Sequence, residues 1–470
     1  MDKYKYLIKN IGLLTLSNFS TKILVFLLVP LYTSQLSTAE FGTFDLFNNT
    51  IGLLIPILTV DIQDSVLRFT LDKDVDNGQV FKVGAKYIIF SVIIVSGFIV
   101  FNHFFTIFPI LNSYFIEFFL LYIMTALNGF ISLFARGCGK IKQISTSSVI
   151  SSLVMIVCNI LFLLVFHFGL RGYFYAMILG LFVQILQLFL SLDITPFNLK
   201  LSKSQKVEEE MISYSRPMIS NAIAWWINGA SDRYLVTYIC GIAANGIYSV
   251  SSKIPSIIVV IQSIFGQAWS LSSVKEFDEK DRSGFIINTY NIYNFILVFS
   301  CSFLMVVDKL LASFMFANDF YKAWEYVPFL LISTVFSGNS QYISGLFTAL
   351  KKTKIFAKTS VITAVINIIF NVITIPIIGP LGAAISTAIA YCIMWALRVY
   401  EIKKYMDLRI NLKRDLCTYL LISFQAVCLI LFNTKSIINI EQFFFLLVLI
   451  MFYRKEIISV VKKVKFKYEF

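Results

Sequence analysis

The residues of this sequence best placed to do chemistry are charged side chains inside long apolar stretches. Lys22 falls near the middle of stretch 11–34, Asp232 and Arg233 late in 215–239, and Lys253 early in 247–270. Arg68 closes the stretch 44–67, shortly after Asp61 and Asp64, and Arg136 follows 114–134. A charge at the bilayer centre costs about 3 kcal/mol on insertion scales, so such a residue faces protein or a wet cavity. Guanidinium and ammonium groups in a cavity would neutralise a phosphate or pyrophosphate that could not otherwise enter a low-dielectric region. Each position also has a plainer reading. Lys22 would be half of a packing ion pair, Asp232–Arg233 a structural pair near the interface, and Arg68 and Arg136 side chains snorkelling to headgroups.

Other engines are missing from the sequence. It contains no GxxxxGK[ST] phosphate loop, which excludes nucleotide hydrolysis of that kind. Two histidines, His103 and His167, leave no Ser/His/Asp or Cys/His set. None of the seven cysteines sits in a CxxC pair, and no metal-ligand cluster can be assembled, so no metal or cofactor is expected. Movement of a substrate would then be driven by an ion gradient, by the membrane potential, or by removal of product.

The elements that must position these residues are helices that meet lipid. Of the 470 residues, 58% are apolar and 14% charged, against about 25% charged in a soluble domain. The apolar stretches predict an all-α polytopic membrane protein of about fourteen spans. They are placed at 11–34, 44–67, 84–102, 114–134, 145–166, 171–192, 215–239, 247–270, 285–307, 327–349, 356–377, 381–400, 416–433 and 440–453. The first is too long for a cleavable leader and is expected to be retained. Prolines 30, 56, 217 and 255 are expected to kink their helices.

The net charge of +13 is explained by topology rather than by nucleic acid. With the N-terminus inside, 33 of the 40 Lys and Arg, Arg398 and Arg414 among them, fall on the inner side and four on the outer. That asymmetry predicts cytoplasmic N- and C-termini.

An internal repeat is also legible. Gly169-Leu-Arg-Gly172 opens the sixth span and Gly379-Pro-Leu-Gly382 the twelfth. Ala135-Arg-Gly-Cys-Gly-Lys140 ends the fourth, and Ala349-Leu-Lys-Lys-Thr-Lys354 the tenth. Leu36–Phe44 and Cys240–Tyr248 share Ala, Gly and an aromatic at matching places. Six spans per repeat is even, which predicts two six-helix lobes related by a parallel pseudo-repeat around a central cavity. The expected domains are an N-terminal lobe over 1–192, a cytoplasmic linker over 193–214, a C-terminal lobe over 215–400, and two further spans with a basic tail over 401–470.

Several blocks resemble one family. Tyr214-Ser-Arg-Pro-Met-Ile-Ser-Asn-Ala-Ile-Ala-Trp-Trp-Ile-Asn-Gly-Ala-Ser-Asp-Arg-Tyr234 and Ala244-Asn-Gly-Ile-Tyr-Ser-Val-Ser-Ser-Lys-Ile-Pro255 are similar to the seventh and eighth helices of bacterial polysaccharide repeat-unit flippases of the Wzx type. Leu16–Leu24, Val66-Leu-Arg-Phe69 and Phe134–Lys142 resemble the same proteins, and the likeness runs over most of residues 10–400. It implies the multidrug/oligosaccharidyl-lipid/polysaccharide exporter fold. It also implies a non-enzymatic flippase in the bacterial inner membrane, carrying undecaprenyl-pyrophosphate-linked oligosaccharide from the cytoplasmic to the outer leaflet for O-antigen, capsule or exopolysaccharide. The substrate-binding residues implied are Lys22, Arg68, Arg136, Asp232, Arg233 and Lys253. The implied partners are membrane lipids, a polysaccharide polymerase and a chain-length regulator, with no nucleic acid.

Four other readings compete, one of them a scaffold in a polysaccharide assembly complex without transport of its own. A fourteen-span count also resembles lipid II flippases. A drug/cation antiporter of the same fold would need an acidic site buried within a lobe, and Asp61 and Asp64 lie near a helix end. A membrane polymerase would need a large outer loop, and none is expected.

Overall fold

A computed structural model of the chain describes residues 26–72, 74–192, 205–275, 278, 280–282, 284–432 and 440–454. Within them the secondary structure is helical. Contacts divide the chain into two compact units, Met1–Ala230 and Ser231–Phe470.

Unit 1 holds α1 (Val29–Gln35), α2 (Thr38–Leu58), α3 (Ile62–Thr70), α4 (Asn77–Phe105), α5 (Pro109–Ser113) and α6 (Phe115–Gly137). It continues with α7 (Ile141–Asn159), which runs into a π-helical turn at Ile160–Val165, then α8 (Gly169–Ser191) and most of α9 (Gln205–Cys240). Unit 2 takes the end of α9 and then α10 (Ile242–Ser251), α11 (Ser256–Lys275), α12 (Phe285–Val306) and α13 (Asp308–Met315). A 3₁₀ stretch, Asn318–Glu325, leads into α14 (Val327–Ala349), α15 (Thr353–Ile378), α16 (Pro380–Ile402), α17 (Leu412–Leu431) and α18 (Ile440–Phe452).

Among the described residues nine helices are long and apolar enough to cross a bilayer, or ten if α10 and α11, bent by 53°, count as one span. The chain is an all-α polytopic membrane protein. The predicted spans from residue 44 onward fall on helices, but α9 and α14 are diluted by polar residues and α18 has only 13 residues. Residues 11–25, including Lys22, and the stretch 193–204 lie outside the described residues. Residues 205–214 form the first turns of α9, and the boundary between the units falls within that helix.

Local chemistry explains where the helices start and stop. A capping box opens α2: Glu40 N–H donates to Ser37 Oγ at 3.2 Å, and Ser37 N–H donates to Glu40 Oε2 at 2.8 Å. Asp281 accepts from the first N–H groups of α12, Ile286 at 3.0 Å and Ile287 at 2.9 Å. The expected continuous span 44–67 is broken. Val60 and Asp61 have φ of 57° and 51° and separate α2 from α3. Left-handed backbone at a β-branched residue is an outlier that packing must enforce.

The repeat read from sequence has a counterpart inside each unit. Gly169 and Gly379 both adopt positive φ, 55° and 65°. Three residues on, Gly172 and Gly382 lie where two helices meet. A Cβ on Gly172 would come within 3.0 Å of Phe162 Cβ, and one on Gly382 within 2.6 Å of the Thr374 carbonyl carbon. The turns after α6 and α14 also match. Gly139 N–H donates to Arg136 O and Lys140 N–H to Ala135 O, as Lys351 N–H does to Thr348 O and Lys352 N–H to Phe347 O.

The C-terminal helices are tied into unit 2 by buried polar contacts. Asn294 donates to Tyr453 Oη (2.9 Å), Asn339 to Tyr419 Oη (3.0 Å) and Ser302 to Gln425 Oε1 (2.7 Å). Arg414, counted among the inner-side cations, is buried against Asp415 at 2.7 Å.

Candidate functional site

In unit 2 the sequence brings Asp232 and Arg233 back against α10. After Cys240 the chain reverses at Gly241, whose φ of 92° suits glycine. The returning helix places Tyr248 and Ser249 beside the end of α9. Tyr248 donates to Asp232 Oδ2 at 2.5 Å, Arg233 Nη1 donates to Ser249 Oγ at 3.1 Å, and the Arg233 backbone N–H donates to Asp232 Oδ1 at 3.0 Å. Asp232 is 9% exposed and Tyr248 2%. A cluster of Val236, Tyr248, Leu330, Ile375, Ala383 and Ala384 holds this corner together.

The acidic side chain is therefore inside a unit, and polar groups continue from it. Tyr248 packs with Ala383 and Ala384, about one turn before Thr387 on α16. Thr387 Oγ1 accepts from Asn367 Nδ2 at 3.2 Å, and Asn367 Oδ1 accepts from Asn371 Nδ2 at 2.9 Å. Asn371 Oδ1 is buried with no partner among the described residues. A carboxylate with amide and hydroxyl oxygens on the neighbouring helices, and one acceptor left over, is chemically suited to a proton or a hard monovalent cation.

Lys253 stands in the break between α10 and α11, where its backbone N–H donates to Val250 O at 2.9 Å. It is half-buried. A broken helix carrying a cation inside a membrane unit is the type of element that binds anionic groups. The structure thus places Asp232, Arg233 and Lys253 on adjoining elements of unit 2.

In unit 1, Arg68 and Arg136 emerge at one end, because α3 and α6 meet there: a Cβ on Gly137 would lie 2.5 Å from Thr70 Cβ. Both arginines are exposed, and Arg68 makes only a loose contact, 3.7 Å, with Asp72.

Sequence reasoning missed several residues. Tyr248 was quoted in a motif and given no role. Thr359, Thr363, Asn367 and Asn371 recur every fourth residue on an apolar helix, a signal visible in the sequence. Arg398, counted among inner-side cations, is 2% exposed and lies inside unit 2. Four groups from α14 and α15 face it, and their proximity is tertiary.

Comparison with known proteins adds the following. A family model described as "Polysaccharide biosynthesis protein" matches residues 7–271. No curated protein matches the chain in sequence. Among solved structures, the lipid II flippase MurJ in an inward closed conformation is similar with a TM-score of 0.69 at 16% identity, covering 94% of this chain and 99% of that one. An inward-facing multidrug resistance MATE family transporter of the MOP superfamily gives a TM-score of 0.64 at 16% identity, over 83% of this chain and 95% of that one. A MOP superfamily transporter from Pyrococcus furiosus gives 0.55 at 16% identity, over 84% and 92%. At such identities the likeness establishes the fold.

Proposed function

Because the chain belongs to the polysaccharide biosynthesis protein family, we propose that it flips undecaprenyl-pyrophosphate-linked oligosaccharide repeat units from the cytoplasmic to the outer leaflet of the bacterial inner membrane. The product serves synthesis of a surface polysaccharide such as O-antigen or capsule. The observation that carries this reading is the family match itself. It runs through Arg68, Arg136, Asp232, Arg233 and Lys253 and ends at residue 271, within α11, the second arm of the broken helix.

The division of labour follows from charge. Lys22, Arg68, Arg136, Arg233 and Lys253 attract and neutralise the pyrophosphate, and the exposed pair Arg68 and Arg136 meets it first. Asp232, with its acceptor chain to Asn371, takes up the monovalent cation whose gradient drives the cycle. Both termini are cytoplasmic, by the distribution of basic residues. The lobes comprise 1–192 and 215–400, with a linker at 193–214 and 401–470 as an addition. A polymerase and a chain-length regulator receive the product, and no bond in the substrate is made or broken.

A lipid II-type substrate is the second reading. It is favoured by the greater share of this chain that aligns with the lipid II flippase, 94% against 83% for the MATE transporter. Cells depleted of the protein distinguish the two. The first reading expects lipid-linked repeat units to accumulate at the cytoplasmic face while peptidoglycan precursors stay normal. Accumulation of lipid II alone would select the second.

A further inference from the structure

Helices α15 and α16 enclose a polar seam in a region that is otherwise apolar. Thr359, Thr363, Asn367 and Asn371 share one face of α15, and none is more than 5% exposed. The opposite face of that helix presents Val361, Val365, Ile369 and Val372, each more than 50% exposed. Between Thr359 and Asn371 the helix rises about 18 Å, more than half of a ~30 Å hydrocarbon core. On α16, Thr387 bonds Asn367 and Arg398 bonds Thr359. One end of the seam lies beside Tyr248, which packs on Ala383 and Ala384 of α16 and holds Asp232. Arg398 closes the other.

The closure is electrostatically unusual. Arg398 Nε donates to Thr359 Oγ1 at 3.1 Å, Nη1 to Ser340 O at 3.1 Å and Ser344 Oγ at 2.9 Å, and Nη2 to Ser360 Oγ at 2.8 Å. The Phe356 ring covers one face of the guanidinium, 4.8 Å from Cζ. All of these partners are neutral. No described carboxylate pairs with Arg398, and Glu401, three residues on, is held by Lys404 at 2.8 Å. Arginine stays charged when buried, and a buried charge is ordinarily paired. Here the hydroxyl cage solvates the cation and leaves its field uncancelled along the seam.

We propose that Arg398 is an electrostatic barrier that lets a monovalent cation, proton or sodium, reach Asp232 and denies it passage along the α15–α16 seam to the far side of unit 2. The barrier keeps the coupling cation from leaking without substrate. The proposal rests on the reading of Asp232 as the cation acceptor. A cation about 4 Å from an uncompensated guanidinium, at an effective dielectric of about 20, is disfavoured on the order of a thousand-fold. Arginines exclude cations from membrane pores on the same principle.

The test uses the full chain in liposomes without lipid-linked substrate. Proton flux is read by a lumenal pH dye and sodium flux by isotope uptake, which separates the two cations. Arg398→Gln removes the charge. Ser344→Asp keeps the arginine and cancels its field with a carboxylate at a position already in contact with Nη1. Both variants should leak the coupling cation at least tenfold faster than wild type, while Arg398→Lys should stay tight. If Arg398→Gln does not accumulate, Ser344→Asp decides, because it adds a partner for the buried charge. Wild-type tightness in the neutralised variants that fold, or equal leak in Arg398→Lys, overturns the barrier. Adding Asp232→Asn to Arg398→Gln should abolish the leak. A leak that persists removes Asp232 from the path and leaves the barrier standing. Loss of cation-dependent flipping in Asp232→Asn alone, with Arg398→Gln tight, removes the barrier and leaves Asp232 as acceptor.

Discussion

Gly382→Ala offers a demanding test of how α15 and α16 hold the candidate site. The added Cβ would lie 2.6 Å from the Thr374 carbonyl carbon, 2.7 Å from its oxygen and 2.9 Å from the Ile375 nitrogen. All three are backbone atoms of the neighbouring helix, so no side chain can rotate to make room. The helices must part locally. The contacts that suffer are Thr374–Ser386 at 2.8 Å and Asn367–Thr387 at 3.2 Å. Overpacking of this kind costs about 1–3 kcal/mol, a fall in melting temperature on the order of 5 °C for a unit of this size. Gly97 supplies the control: nothing lies within 4 Å of its Cβ position, and Gly97→Ala should be neutral or stabilise by up to about 1 kcal/mol. The assay is thermal unfolding of purified protein in detergent, alongside flipping in liposomes. Gly382→Ala should melt lower and flip more slowly. Wild-type melting in Gly382→Ala would refute the close approach of these helices.

Other expectations follow from the same reasoning. Burial pushes the Asp308 carboxyl, in the loop helix α13, well above the ordinary carboxylate range, and neither of its oxygens has a partner among the described residues. An acid with a raised folded value favours folding when protonated, so wild-type stability falls as pH rises from about 4; Asp308→Asn should lose this dependence and melt higher at neutral pH. Arg68→Ala and Arg136→Ala should leave melting unchanged, since both side chains are exposed, yet each should slow flipping of a pyrophosphate-linked substrate several-fold. Reporter fusions after Lys142, Lys206 and Lys404 should be cytoplasmic and those near Pro109 and Pro380 external; an external signal at Lys206 would break the proposed topology.

Much of the architecture was legible because lipid imposes a plain rule on sequence. Long apolar stretches marked the helices, and the glycine pairs 169/172 and 379/382 marked turns whose backbone and close packing tolerate little else. The break at Val60–Asp61 was not legible. Asp61 tolerates left-handed backbone but the β-branched Val60 does not, so tertiary packing imposes it there. Asp232 and Arg233 were picked out by charge alone, but their partners Tyr248 and Ser249 depend on the reversal at Gly241. Arg398 was legible only as one of the inner-side basic residues, and its burial was not. Its burial depends on hydroxyls from α14 and α15 that no local pattern connects to it.

The central claim is transport of a lipid-linked pyrophosphoryl saccharide, and reconstitution tests it most directly. Purified protein in sealed liposomes receives a fluorescent undecaprenyl-pyrophosphate oligosaccharide in one leaflet, and an impermeant quencher reports its arrival in the other. The account predicts flipping that needs no nucleotide, responds to an imposed cation gradient, and falls in Lys253→Ala at unchanged protein abundance. Liposomes that hold the folded protein, yet move this lipid no faster than protein-free ones under every gradient, would contradict it.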